Sequence, residues 1–466
     1  MPVNSFENYI LSWKPERSQL KSPLYISLAD LMEKDILSGT LAAGTKLPPQ
    51  RELADYLDVS LNTITRAYTL CEKKGLLFAV TGKGTFVNGA INTRKTIVEP
   101  ETNTAINISS TISPMPNTER LCDIIKSVIS DSMFEKSIQY STPIGTEYQQ
   151  KAAEKWLNIF GFDKCNNVLI TEGSQNSLTL ILTSLFESGD KIVVDQYTYP
   201  NFLSLANLLH ITLVPVSGDE KGMDPAELAK ILNTNSVKGI YLSPTCSNPQ
   251  AICMPENRRK EIAHLIERHN LILIEDDCYA FIAENKPQPV SLMTGNNYIY
   301  LTELNKAISP AVNMGIICCS DRFLPRLQQA NYSCNLVVNW FAAQVGALAI
   351  NQDIYADTID EHRRRIQNRN MIYGRYFEIT NINSYYQWLP LPSGISSTVF
   401  ESVAMKAGVK VYGSERFLTG DAGGRYYLRI SPTGPRTVSQ LETALRIIRK
   451  IIDDIQNNTI NTDYTV

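Results

Sequence analysis

The chain has 466 residues, too many for one ordinary hydrophobic core, so two or three domains are expected. Its 43% hydrophobic and 20% charged residues are those of a soluble globular protein, and a net charge of −3 offers no bulk attraction to nucleic acid. No apolar run reaches the roughly 18 residues a membrane span needs, and the opening MPVNSFENYILSWKPERSQ lacks a signal peptide's uninterrupted apolar core, which predicts a cytoplasmic protein with no membrane partner. The nine cysteines include no Cys-x-x-Cys pair, and none of the four histidines is spaced with them as a ligand set. Reduced thiols, no disulfide frame and no metal site are therefore expected.

In chain order, apolar residues at helical spacing predict a first helix over 23–37. A second helix runs from Gln50 to Leu57, with Pro49 near its start. Ser60 can cap a third that continues to Lys74, and Gly75 suits its left-handed end. LLFAV and TFV flank the tight turn TGKG as two short strands. Helix, helix-turn-helix and hairpin make a winged helix-turn-helix domain over 1–87. Residues 88–106 are polar and aperiodic and read as a linker. From 107 to 466, NVLIT, KIVVD, GIYLS, LILIED and YIYLT alternate with helical stretches. The fold class is α/β, with a mainly parallel sheet covered by helices on both faces.

Residues 1–90 hold ten Lys/Arg and nine Asp/Glu, so DNA contact would depend on a few placed cations and helix ends. Third helices of this kind enter the major groove by their N-terminal residues, here Ser60, Asn62, Thr63, Thr65 and Arg66. Arg51 opens the second helix, and Lys83 stands at the hairpin tip next to Gly84. The plainer reading, surface charges on a small interaction module, does not account for cap, helix and wing arriving in this order. The stretch Pro23 to Val87, with G-x-x-LP-x-x-RELA, N-T-x-x-RAY and GxGTFV, closely resembles the GntR family of bacterial regulators. That resemblance implies DNA contact, or the turns permitting it, for Arg51, Thr63, Arg66 and Gly84.

The second half offers the parts of a pyridoxal-phosphate (PLP) pocket, each at a strand end. Lys306 can form an imine with an aldehyde, and Asp276 can pair with the ring nitrogen. Tyr279 and Asn248 can donate to the ring hydroxyl, and Tyr199 can stack on the ring. Gly173, Ser174 and Gln175 open a helix and present backbone N–H groups to an anion, and Arg429 can clamp an effector carboxylate. Singly, each is an ordinary solvated or structural residue; the evidence is their order. That order resembles the fold-type I aminotransferases, and with the head in front the whole chain resembles the MocR subgroup of GntR regulators. The resemblance implies a head-to-tail homodimer that binds an operator in double-stranded DNA and senses a small-molecule effector through an aminotransferase-like body. It carries the imine role to Lys306 with no catalytic turnover expected, the ring roles to Asp276, Asn248, Tyr279 and Tyr199, and carboxylate binding to Arg429.

The sequence departs from the family pattern at the phosphate. The family has Ser or Thr three residues before and directly before the lysine, where this chain has Glu303 and Asn305. It has an arginine seven residues after the lysine, where this chain has Asn313. Three readings stay open: weak PLP binding, preference for unphosphorylated pyridoxal, or a relic pocket sensing something else. Asn201 replaces the arginine expected after Tyr-Pro in GABA-sensing members and disfavours GABA. An active aminotransferase with an appended head, and a DNA-binding protein with a cofactor-free dimerisation scaffold, are the rival functions.

Overall fold

A computed structural model describes residues 12–457 except 39, 42–43, 74–75, 81–83, 88–104, 112–117, 131–143, 164, 166, 286, 394 and 421–422. Lys83, Gly75 and all but the last two residues of the expected linker lie outside the described residues. The chain forms two compact units, Met1–Thr96 and Ile97–Val466.

The first unit contains helices α1 (Leu24–Ser38), α2 (Gln50–Leu57) and α3 (Leu61–Lys73) and the antiparallel hairpin of β1 (Leu77–Val80) and β2 (Gly84–Val87). Its core follows from helical periodicity. Leu28 and Met32 of α1, Leu53 and Leu57 of α2, and Ile64, Ala67, Tyr68 and Cys71 of α3 are buried together with Val87. The Tyr68 hydroxyl donates to the Pro48 carbonyl at 2.8 Å, tying α3 to the segment before α2. Ser60 caps α3 by accepting from the Thr63 N–H at 3.2 Å, in the role its sequence position predicts.

The second unit is built on a seven-stranded sheet of β3 (Val168–Thr171), β4 (Lys191–Asp195), β5 (Thr212–Val216), β6 (Gly239–Leu242), β7 (Ile272–Asp276), β8 (Tyr298–Glu303) and β9 (Gly315–Cys319). In space the order is β3-β9-β8-β7-β6-β4-β5, and only β9 runs against its neighbours. Successive side chains serve opposite layers: Tyr300, Ile316 and Cys318 pack with Trp156 on one face, and Ile299, Leu301 and Ile317 with Leu178 and Phe202 on the other. Burial on both faces is why these strands read as continuous apolar runs. A three-stranded antiparallel sheet, β10 (Gln387–Pro390), β11 (Tyr412–Gly413) and β12 (Tyr427–Ile430), has β12 at its centre. It shares a core with the helices Ser397–Lys406 and Val438–Gln456. Ile106–Asn107 pairs in parallel with Val409–Lys410, so Ile106, expected at the end of the linker, is already part of this unit.

The expectation of unpaired thiols fails at one place. Cys165 and Cys318 form a disulfide across 153 residues, because the loop entering β3 runs beside the end of β9. The other seven cysteines form no disulfide.

Candidate functional site

Strands β6, β7 and β8 are parallel, so their C-terminal ends open on one edge of the sheet. The two antiparallel steps through β9 restore the same direction in β3. A cavity of about 320 Å³ lies at this edge. The position is the one where open α/β sheets bind ligands. All eleven residues the sequence proposed for the pocket line it: Gly173, Ser174, Gln175, Tyr199, Asn248, Asp276, Tyr279, Glu303, Lys306, Asn313 and Arg429.

Asp276 ends β7 and is buried. The Tyr241 hydroxyl donates to its Oδ2 at 2.7 Å and the Cys278 N–H to its Oδ1 at 3.4 Å. Burial pushes its carboxyl up to about 6, the two hydrogen bonds pull it back down, and the neighbouring Glu303 charge adds to the rise. Tyr279 makes a hydroxyl–hydroxyl contact with Thr111 at 3.3 Å, and burial raises its phenol well above the usual range. The Tyr199 hydroxyl donates to Gln175 Oε1 at 3.3 Å, which fixes the ring at the cavity wall.

Arg429, on the central strand β12, is 1% exposed. Its guanidinium donates to Asn248 Oδ1 at 2.7 Å and to the Ser109 carbonyl at 2.6 Å, and lies over the Tyr386, Phe417 and Tyr412 rings at 4.6, 4.9 and 5.4 Å. Its Nε has no partner among the described residues. Every acceptor it meets among the described residues is neutral. A buried cation without a counter-charge is costly, so this position is suited to receive an anion.

The helix α4 (Ser174–Leu185) begins directly after β3, with Gly173 as its N-cap at φ +84°. Such a start concentrates unpaired N–H groups and positive potential. Here the group accepting from the Ser174 N–H, at 3.0 Å, is the carboxylate of Glu303. Asn313 closes the same corner, donating to the Glu172 carbonyl at 3.1 Å. A Cβ on Gly173 would stand 2.3 Å from Asn313 Oδ1, and one on Gly315 2.7 Å from the Gly173 carbonyl carbon. The two glycines allow β9 to approach the helix start this closely.

Sequence reasoning missed Tyr241, Tyr386, Thr111, Ser243 and Cys278, which also line the cavity. Tyr241 lies inside the run GIYL and reads there as core; alternation along β6 is the only local signal.

In the first unit, Ser60, Asn62, Thr65, Arg66 and Arg51 are exposed and Thr63 half-buried. Thr65 donates either to Gln50 Oε1 at 2.7 Å or to the Leu61 carbonyl at 3.0 Å, and Ser60 and Thr63 share a 2.9 Å hydroxyl contact. The Arg66 guanidinium, in the second turn of the third helix, stacks on Tyr25 of α1 at 3.8 Å, which fixes its position. Gly84, at φ +117°, has no side chain where Lys46 crosses the hairpin; a Cβ there would be 2.9 Å from Lys46 Cε. Lys46 is a further cation beside the wing that the sequence reading did not name.

Residues 24–87 match the model of bacterial regulatory proteins of the gntR family, and residues 104–400 that of aminotransferase class I and II. The HTH-type transcriptional regulator YdeF of Bacillus subtilis, itself uncharacterized, is 33% identical over 98% of this chain and all of its own length. The chain belongs to the MocR-type GntR regulators. The vitamin B6 salvage pathway transcriptional repressor PtsJ of Salmonella typhimurium is 24% identical over 93% of this chain and 96% of its own. Among solved structures, Pyrococcus horikoshii kynurenine aminotransferase superposes with a TM-score of 0.70 at 23% identity, over 78% of this chain and 93% of its own. An archaeal alanine:glyoxylate aminotransferase matches equally at 20% identity. This MocR-type regulator is thus a DNA-binding transcriptional regulator with a fold-type I aminotransferase body. That body implies PLP. The ring end of the cavity fits it, with Lys306, Asp276, Tyr279 and Tyr199 around one space. The phosphate end is altered, with a carboxylate on the amide that would hold the anion.

Proposed function

We propose that this regulator senses a B6-type aldehyde, or an amino compound reacting with it, and converts occupancy of the cavity into a change in operator affinity. The observation that carries the reading is Arg429, a buried guanidinium with only neutral acceptors, facing the same cavity as Lys306 and Asp276. Asp276 would hold the ring nitrogen, Tyr279 and Asn248 the ring hydroxyl, Tyr199 would cover the ring, and Arg429 would take an effector carboxylate. The cofactor would supply a carbonyl for the amine of Lys306. The altered phosphate end favours sensing over turnover, because a cofactor without a firm anchor is lost between half-reactions. The protein acts in the cytoplasm as a head-to-tail homodimer, so two heads meet two half-sites. The proposed division is a DNA-binding domain over 1–87, a linker over 88–106 and an effector and dimerisation domain over 107–466. Lys83, Arg51 and the first turn of the third helix make the DNA contacts.

The test uses the full-length protein. A duplex selected from a random library serves as operator, and the mass and absorption spectrum of any copurifying small molecule are recorded. A visible absorption band lost in Lys306→Ala, and operator affinity that changes on ligand addition, are expected. Steady conversion of an amino acid to a keto acid would favour an enzyme instead, and no ligand response at all would favour a scaffold.

A further inference from the structure

We propose that Glu303 is a built-in occupant of the anion cup and makes this pocket select an unphosphorylated pyridoxal-type ligand over its phosphate ester. The inference rests on the reading of the cavity as a B6-type site and names the ligand class within it. Three observations carry it. Glu303 is 2% exposed, yet it lines the cavity and accepts from the Ser174 N–H at the start of α4. Its second oxygen, Oε1, has no partner among the described residues, so the cup presents an acceptor to whatever enters. The Asn313 amide lies against Gly173 and donates to the Glu172 carbonyl, where a cation would be needed to offset a phosphate.

The chemistry follows from charge and hydrogen-bond type. A phosphate dianion needs donors and positive potential; here the helix N-terminus already carries a carboxylate. Phosphate entry would require displacing Glu303 from a buried site or bringing like charges together in a low-dielectric space. A hydroxymethyl group has the opposite character. It is neutral, it is small, and its O–H can donate to the waiting Oε1. At the other end nothing is changed: Asp276 remains for a pyridine nitrogen and Lys306 for a carbonyl. The Asn305 Oδ1, buried without a partner among the described residues and on the same rim, is a second acceptor and adds to the preference for a donor over an anion.

Calorimetric titration of the full-length protein with pyridoxal and, separately, with PLP tests this. The wild type is expected to bind pyridoxal at least about tenfold more tightly. Glu303→Gln keeps the size and an oxygen for Ser174 but removes the charge, and it should bring the ratio of the two dissociation constants close to one. Glu303→Ser combined with Asn313→Arg should invert it. Melting temperatures of the ligand-free variants check that each is folded, and the Gln variant keeps the comparison usable if the double variant is not. A wild type that prefers PLP overturns the proposal and leaves the B6 pocket standing. A ratio unmoved by Glu303→Gln overturns the part given to Glu303. Binding of neither molecule to the wild type overturns the B6 reading itself, and the proposal with it.

Discussion

Asp276 is pulled in two directions. Burial disfavours its charge, whereas the Tyr241 hydroxyl and the Cys278 N–H stabilise it, and the balance leaves its carboxyl at about 6. Asp195 is raised to about 7 by burial alone, and Glu275 is raised by burial beside Asp277. All three hold a proton more tightly in the folded chain than in the unfolded one. Their contribution to stability is therefore fully present below the ordinary carboxylate range and is lost as pH rises through the folded values. The ligand-free body should lose stability between about pH 4 and pH 7, with Asp276 accounting for on the order of 2–3 kcal/mol of the change. Asp276→Asn is expected to remove that share. Melting temperatures of wild type and variant across this window provide the check, and parallel curves would show that Asp276 titrates as an ordinary carboxylate. The same substitution should weaken binding of a pyridine ligand, because the amide cannot accept a proton from the ring nitrogen or balance its charge.

At the scale of elements, the cavity is made where strands stop. Strand β7 ends on Asp276, and Lys306 and Asn248 follow in the loops that leave β8 and β6, three and six residues past their last residues, at the same edge of the sheet; for that reason the three were legible in sequence. Strand boundaries follow from hydrophobic runs, and the residue after a buried strand is the first that can face a ligand. What was not legible depended on which strands are neighbours. Glu303 meets Ser174 across 129 residues, and Cys165 meets Cys318 across 153, only because β9 inserts between β3 and β8. No local pattern encodes that order. Arg429 was named for a carboxylate, but its two neutral acceptors and three aromatic neighbours come from segments far apart in the chain. The first unit is more local, and its three helices and hairpin came close to the boundaries that caps and periodicity predict. It supports a prediction at the same scale. Ser60→Ala removes the cap of α3 and should cost about 1 kcal/mol of stability in the head. Arg66→Ala should weaken operator binding by about 1–3 kcal/mol at fixed salt. Arg66→Lys should recover little of this, because an ammonium cannot reproduce the planar stack on Tyr25. Melting temperature measures the loss in Ser60→Ala, and fluorescence anisotropy on a labelled operator measures the two Arg66 variants; unchanged affinity in Arg66→Ala would place that helix elsewhere than in the groove.

For the whole molecule, sensing requires that the cavity and the DNA-binding surface bias one shared equilibrium. A ligand can shift the DNA-competent population only by the difference in its affinity for the two states, and the coupling must be reciprocal. If pyridoxal changes operator affinity by some factor, the operator must change pyridoxal affinity by the same factor. Couplings of this kind commonly amount to about 1–3 kcal/mol, roughly 5- to 150-fold. The expected result is a closed thermodynamic box: anisotropy titrations of operator with and without pyridoxal, and calorimetric titrations of pyridoxal with and without operator, give one factor. Arg429→Gln sharpens the test. It removes the buried cation while leaving Asp276 and Lys306 in place, so an effector that works through its carboxylate should lose the coupling, whereas pyridoxal should lose only what Asn248 contributes once its 2.7 Å bond from Arg429 is gone. Two affinities that do not move with each other would make the body a scaffold. Factors that differ between the two sides of the box would mean that a third species, such as a change in subunit assembly, carries part of the response, and sedimentation of the protein at each corner would reveal it.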